Sequence, residues 1–345
     1  MAADLASPNA GRFAAPFAIG RLIVPNRVVL GPMAGVTTSS FRRLLKRHGV
    51  GLVVTEMVSV HGLVQGNRRT RDYLRFAEEE LPLALQLFGE DAESVRRAVA
   101  AALGAAGPGG DHPRPDVIDL NMGCPVRKVT KTGAGSALLG DPDRAVAVAR
   151  AAVQEAAAAG LPVTVKLRSG VQPDRPVVVE LARRLEAEAG VAALAVHPRA
   201  ATQFYGGRAD HRLTEAVVRA VGIPVIASGD VTSVAAAAQI VDQTGAAAIM
   251  VARGVSGNPW LVDDLLAGAD TGRRPLSMVC DELAMLLRLA AAEMGPGRAA
   301  SWARKFLTWF LRPSGVPAAR VEELRRLPSV DEVILALTAL GGPGG

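Results

Sequence analysis

Eight short apolar runs, each separated from the next by a longer stretch with helical spacing or a loop, fill the chain from residue 22 to about residue 260 and leave few architectures open. The runs are Val28–Leu30, Leu52–Thr55, Leu83–Leu87, Val117–Leu120, Val163–Leu167, Ala193–Val196, Pro224–Ala227 and Ala248–Val251. Among the stretches between them, Ser39–His48, Ala92–Leu103, Pro142–Ala159, Arg175–Ala189, Thr214–Val221 and Ser233–Gln243 read as helices. Continuously apolar runs mark strands covered on both faces, as in a parallel sheet wrapped by helices. Eight of them predict an α/β fold closed as a (β/α)8, or TIM, barrel. The rival, an open doubly wound sheet, needs a glycine fingerprint after its first strand. None is there: Gly133-Ala-Gly135 lacks the third glycine and follows the fourth run.

After Trp260 the strand signals stop and the spacing turns helical over Met278–Met294, Arg298–Leu311, Ala318–Arg326 and Val330–Leu340. The expected division is a barrel over residues 1–265 and a small all-helical domain over 271–345. With 49% hydrophobic but only 4% aromatic residues, the core is expected to be Ala, Val and Leu. The Gly/Pro-rich stretch Gly104–Pro115 reads as a surface insertion on the face away from any barrel site, and Gly341–Gly345 as a frayed tail. Met1–Pro16 has no basic segment followed by an apolar run, and no stretch approaches an apolar twenty-mer. A cytoplasmic protein, neither secreted nor membrane-spanning, is expected. Two cysteines, Cys124 and Cys280, make no disulfide framework, and no Cys/His spacing suits a metal.

In a barrel of this kind the loops after the strands form the active face, so polar residues at strand ends are the ones to collect. They are Pro32-Met33-Ala34-Gly35, Glu56, Gln86, Asn121 with Cys124, Lys166, His197 with Arg199, Ser228-Gly229-Asp230, and Ala252-Arg253-Gly254. Taken singly, each has an ordinary structural reading: Ser228-Gly229-Asp230 as a turn and helix cap, Lys166 as a lysine snorkelling to the surface. Taken together, they surround one mouth. Gly229 and Gly254 with Arg253 suit a phosphate, which needs close approach to backbone N–H groups. Lys166 ends an apolar run, where a cation is costly unless an anion or an electron-rich ring compensates; a flavin would do so. Cys124 follows Asn121-Met-Gly123 and precedes Pro125 on a glycine-bearing loop. A thiol with an ordinary pKa of about 8.5 is mostly protonated at neutral pH and serves as a proton donor as well as a nucleophile. Cys280, within a Leu/Ala/Met helix, reads as inert.

The net charge is +6 with a pI near 9.9. An Arg- and Ala-rich composition alone produces such a balance, so it argues for a polyanionic partner only beside a suitable site. The segment 271–345 carries ten Arg or Lys against seven acidic residues. Arg298, Arg304, Lys305 and Arg312 fall on one helical stretch, with Trp302, Phe306, Trp309 and Phe310 as its packed side. A solvated basic face is the plainer meaning of that pattern.

Gly31-Pro-Met-Ala-Gly35, Thr55-Glu56-Met57, Leu85-Gln86-Leu87 and Asp119-Leu-Asn121-Met-Gly-Cys124-Pro125 together resemble the tRNA-dihydrouridine synthase family. The likeness continues through Val165-Lys166, His197-Pro-Arg199, Gly229-Asp230, Arg253-Gly254 and Gly257-Asn-Pro-Trp260, and runs from about residue 20 to residue 340. Lys128-Val-Thr-Lys131 with Gly135-Ser-Ala-Leu-Leu looks most like the B-type bacterial branch. The resemblance implies that NADPH reduces FMN, whose N5 passes hydride to C6 of a tRNA uridine, while Cys124 protonates C5. It implies that Gln86, Lys166 and His197 contact the flavin ring. Residues Pro32, Met33, Ala34, Ser228, Gly229, Asp230, Ala252 and Arg253 would carry its edge and phosphate. Asn121 and Arg199 would hold the uracil or neighbouring RNA. The helical domain, Arg68, Arg69, Arg71, Arg127, Lys128 and Lys131 would grip tRNA, by a monomer. Ser228, Ala252 and Pro198 depart from the family's usual Asn, Gly and residue after the histidine; the Ala252 methyl narrows the phosphate loop. Two other readings stay open. One is an FMN barrel reducing a free pyrimidine or small carbonyl compound, the other an RNA-binding relative that has lost catalysis.

Overall fold

The structure, a computed structural model, describes residue 9, residues 11–105 and residues 113–342. Residues 106–112 of the Gly104–Pro115 stretch, residues 343–345 of the tail, and nine of the first ten residues lie outside the described residues. An antiparallel hairpin, β1 (Phe17–Ile19) and β2 (Leu22–Val24), comes first. There follow β3 (Val28–Leu30), α1 (Ser39–Arg47), β4 (Leu52–Val54), β5 (Val58–Ser59), α2 (Val60–Val64), α3 (Arg68–Asp72), β6 (Leu83–Phe88), α4 (Ala92–Gly104) and β7 (Val117–Met122). The chain continues through α5 (Arg127–Thr130), α6 (Pro142–Ala157), β8 (Val163–Arg168), α7 (Val178–Arg184), β9 (Ala193–His197), α8 (His211–Ala220), β10 (Val225–Ser228), α9 (Val234–Thr244), β11 (Ala248–Val251) and α10 (Leu261–Ala267). Four helices close it: α11 (Leu276–Met294), α12 (Pro296–Leu311), α13 (Ala318–Arg326) and α14 (Val330–Gly341).

Strands β3, β4, β6, β7, β8, β9, β10 and β11 pair in parallel in that order, and β11 pairs back to β3, so the sheet closes into the expected barrel. Strand β5 resumes the line of β4 after a break at Thr55–Met57. Val53 pairs with Leu83 but Val58 with Leu87, so five steps on one strand match four on the other. The extra residue is a bulge, which turns the chain at the barrel rim and sets Glu56 there.

Side chains alternate along a strand, and the inward set changes character along the axis. Near the hairpin the interior is small and apolar, with Val29, Val54, Ala84, Val117, Ala195 and Ala248 packed against Ile19 and Val24. Further along these strands and on β8 the inward positions are Gln86, Asp119, Asn121, Lys166 and His197. The expected continuous apolarity therefore holds for the outward faces and the lower layers alone.

The last four helices share a buried cluster with the barrel. Phe41, Leu44 and Leu45 of α1 and Leu261 of α10 join Leu283, Leu287, Phe306 and Phe310 in it. Phe41 and Phe306 lie 5.5 Å apart between ring centroids, and burying each such side chain contributes about 2 kcal/mol. Glu293 of α11 caps α1, accepting from the Ser40 N–H at 2.6 Å and the Ser39 N–H at 3.2 Å. His48, just past α1, bonds Asp263 of α10 through Nδ1 and lies 3.2 Å from Glu282 of α11 through Nε2. Gly257 meets α12 directly: a Cβ there would stand 2.1 Å from the Trp309 carbonyl oxygen, so no other residue fits without displacing the helix.

Candidate functional site

At the C-terminal end of the strands the barrel opens into a cavity of about 1130 Å³. The loop after β3 brings Pro32, Met33 and Ala34 to it, β6 brings Gln86, and β7 with its following loop brings Asn121 and Cys124. Lys166, His197, Ser228, Gly229, Asp230, Ala252 and Arg253 complete the expected set around the wall. Lys128 and Lys131 are exposed on or beside α5, outside the lining.

Beneath the opening runs a chain of buried hydrogen bonds across three strands. Thr164 Oγ1 donates to Asp119 Oδ1 at 2.6 Å, and Gln86 Nε2 donates to Asp119 Oδ2 at 2.7 Å. Asn121 Nδ2 donates to Gln86 Oε1 at 2.9 Å. Asn121 Oδ1 accepts from the backbone N–H groups of Cys124, at 2.8 Å, and Gly123, at 3.2 Å. Burial pushes the Asp119 carboxyl up to about 6, against the pull of Thr164, Gln86 and Lys166, so it is ionised at neutral pH.

Lys166, His197 and Cys124, around the cavity, have shifted proton affinities. Burial lowers the Lys166 ammonium to about 8, helped by Arg168 and opposed by Asp119 and Cys124. Its Nζ makes no hydrogen bond among the described residues. His197 is driven down to about 2 by burial and by Lys166, Arg168, Arg199 and Arg253, so its ring is neutral. Arg199 donates to His197 Nε2 at 3.1 Å, which leaves the ring proton on Nδ1. Burial raises the Cys124 thiol above its ordinary value, against the Val126 N–H and the charges of Arg168 and Lys166. A thiol in that state keeps its proton at neutral pH.

Arg199, expected to hold the uracil or neighbouring RNA, has a side chain 2% exposed that is not part of the cavity wall. Its guanidinium grips both oxygens of Asp230 at 2.8 Å and the Gly207 carbonyl at 2.7 Å. A buried guanidinium needs such partners, and Asp230 supplies the charge. Asp230 in turn accepts from the Ala209 N–H at 2.8 Å. Its carboxylate is therefore engaged by protein, while its backbone, at φ +58°, turns beside the cavity. Gly229, at φ +107°, lies against the His197 ring, where a Cβ would meet Cδ2 at 2.8 Å. Lys305, read as part of an exposed basic face, bonds the Gly35 carbonyl, as does Trp302 Nε1 at 2.9 Å.

Several lining residues escaped the sequence reading. Arg168 lies two positions after Lys166 and hence on the same strand face. Tyr205, 56% exposed, lies under the guanidinium of Arg253 at 4.3 Å and near that of Arg168 at 5.7 Å. Trp309 and Arg312, at the end of α12, complete the wall from the helical part. A Phe-Tyr pair before Gly206-Gly207 in an aromatic-poor chain was the available signal for Tyr205. Nothing local pointed to Trp309 as lining a barrel cavity. Among the described residues no three His, Cys, Asp or Glu side chains gather as a metal site, and no helix is long and apolar enough to cross a membrane.

Comparison with solved structures bears on the fold. A 2-naphthoyl-CoA reductase complex superposes with a TM-score of 0.56 at 12% identity, covering 74% of this chain and 52% of the other. Histamine dehydrogenase from Rhizobium sp. 4-9 gives 0.56 at 15%, over 80% and 51%. This chain thus spans about half the length of each, and the likeness concerns architecture. Sequence relatives reach further. A probable tRNA-dihydrouridine synthase of Rhizobium leguminosarum is 38% identical over 89% of this chain and 92% of its own. The tRNA-dihydrouridine synthase B of Pseudomonas aeruginosa is 37% identical over 88% of each chain. The profile described as dihydrouridine synthase (Dus) matches residues 29–327, which take in the whole barrel and most of the helices after it, and the chain belongs to that family.

Proposed function

We propose that the chain is a tRNA-dihydrouridine synthase, an oxidoreductase that saturates the C5=C6 bond of particular tRNA uridines with FMN as cofactor and NADPH as reductant. The observation that carries this reading is a cysteine, Cys124, opening onto the same cavity as Lys166 and His197. The residues fit a flavin mononucleotide. Lys166 Nζ is free to face an electron-rich ring edge, Gln86 and His197 offer hydrogen bonds, and Arg253 on the wall offers a cation for the phosphate. Bound there in reduced form, FMN supplies the hydride that C6 of the uracil receives.

The protein's own groups do the rest. Lys166 stabilises negative charge at the ring edge, and the neutral His197 donates from Nδ1. Cys124 delivers the proton to C5, so that hydride and proton together complete a two-electron reduction. The Cys124 backbone is fixed by Asn121, which keeps the donor close to the reacting carbon. The target base leaves the RNA stack to enter. Residues 271–345 act as the tRNA-binding domain beside a catalytic barrel over 1–265. Exposed Arg68, Arg71, Arg127, Lys128, Lys131, Arg298, Arg304 and Arg312 supply the salt-dependent part of the affinity.

The test is incubation of the FMN-loaded protein and NADPH with tRNA from a strain devoid of dihydrouridine, followed by mass-spectrometric mapping. Dihydrouridine at defined positions is expected, and its absence, or faster reduction of free uridine, would refute the reading.

A further inference from the structure

The loop after β9 is fastened through its backbone and leaves its aromatic side chains outside. Arg168 Nη1 donates to the Ala200 carbonyl at 3.0 Å and to the Phe204 carbonyl at 2.7 Å. Arg199 donates to the carbonyls of Gly206, at 3.2 Å, and Gly207, at 2.7 Å. The Ala201 N–H donates to the Gly170 carbonyl at 2.9 Å, and the Thr202 N–H to that of Val171 at 3.2 Å. Two buried guanidinium groups thus hold one short segment in a single shape. In that shape Phe204 stands at φ +51°, a conformation that costs a bulky residue free energy. Packing does not offset the cost. The Phe204 ring is 51% exposed, joins none of the buried apolar clusters and, among the described residues, meets no other ring. The other phenylalanines are buried or half-buried. Phe204 alone of them lines the cavity.

We infer that Phe204 is a stacking platform for an unpaired base of the RNA, that of the nucleotide next to the uridine that enters the cavity. The inference rests on the reading of the cavity as a uridine site. Extruding one base leaves its neighbour with a face unstacked, and an aromatic ring beside the entry restores that contact. The ring belongs to the wall of the cavity that receives the extruded base. Cations surround it: Arg208 is exposed on the same loop, and Arg253 and Arg168 lie 4.3 and 5.7 Å from the ring of the adjacent Tyr205. Those two guanidinium groups engage Tyr205 and leave the Phe204 ring open. A bare aromatic face among arginines suits a nucleotide, which brings a flat base together with a phosphate. Because the backbone bonds hold the loop before RNA arrives, little ordering is needed on binding.

Filter binding of tRNA to the FMN-loaded protein, with four variants, tests this. The Kd is expected to rise about tenfold for Phe204→Ala and Phe204→Gly, the loss of one stacked base, and to stay within about threefold for Phe204→Trp. Phe204→Leu, apolar but without a π-face, is expected to lose about fivefold or more. Stacking adds no counterion release, so the slope of log Kd against log salt should be the same in Phe204→Ala as in wild type. Phe204→Gly should not lower the thermal unfolding midpoint, because glycine adopts φ +51° without strain. Transcripts carrying 5-iodouridine on one side or the other of the mapped uridine, irradiated on the wild type, should crosslink to Phe204 from one of the two positions.

Phe204→Leu binding as tightly as wild type, or no crosslink at Phe204 from either position, overturns the inference. So does a changed salt slope in Phe204→Ala, which would assign the loss to displaced arginines. A midpoint several degrees lower in Phe204→Gly would make the ring a packing element and overturn it as well. Wild-type protein that neither binds nor modifies tRNA would instead count against the uridine reading itself, before any variant is compared.

Discussion

Replacing His48 by Gln should weaken the protein in a pH-dependent way that can be worked out from its surroundings. His48 is 9% exposed, and burial alone would lower its pKa. The bonds and charges of Asp263 and Glu282 outweigh that and raise it to about 9 from 6.5. A folded-state value above the unfolded one means stability that is complete below about pH 6.5 and lost as pH rises through 9. At about 1.4 kcal/mol per tenfold change in proton affinity, the contribution is about 3 kcal/mol at pH 6 and about 2 kcal/mol at pH 7.5, vanishing near pH 10. Lys46 and Lys166, both lowered to about 8 chiefly by burial, titrate with the opposite sign, so stability gains from them as pH climbs from 8 toward 10.5. The difference between wild type and His48→Gln cancels those terms. Urea unfolding of both proteins at pH 6, 7.5 and 9.5, followed by circular dichroism, reads it directly. A gap that is the same at all three pH values would show that His48 does not act as a charged link between α1, α10 and α11.

Cys124→Ala should keep the yellow flavin absorbance while turnover on tRNA falls about 10²- to 10⁴-fold, measured under single-turnover conditions. Gly229→Ala, which drives a methyl into the His197 ring from a positive-φ backbone, should yield protein that purifies with little flavin, seen as a lower ratio of absorbance at 450 nm to 280 nm on the order of several-fold. Gly257→Ala should destabilise by about 2–4 kcal/mol, because its Cβ meets helix backbone rather than a movable side chain; an unchanged melting temperature would contradict the packing described. The affinity for tRNA should drop about tenfold or more between 50 and 200 mM salt, measured by filter binding, if exposed arginines supply it.

The barrel was readable because each parallel strand is apolar on its outward face, so eight short runs stand out against Ala-rich helices. Strand-end residues such as Gln86, Asn121, Lys166 and His197 were readable for the same reason: a polar group at the end of an apolar run has little choice but to face the mouth. Arg168 was equally accessible, by counting two from Lys166. The partners of Arg199 and Lys305 were not readable, for a different cause. Sequence shows that an arginine lies beside a strand end but not whether a carboxylate 31 positions later turns back to meet it, as Asp230 does. Likewise, spacing placed Lys305 on an outward helix face without showing that Gly35 lies against it. Trp309 and Arg312 reach the cavity only because α12 docks on the β3 side of the barrel, a long-range choice with no local signature.

The seating of α12 against Gly257 and Gly35 makes the two halves of the chain poor candidates for exchange. A barrel severed after α10 would lay bare Phe41, Leu44 and Leu261 to water and lose one side of its cavity. Grafting the helices of a relative onto this barrel would therefore change the wall of the cavity itself.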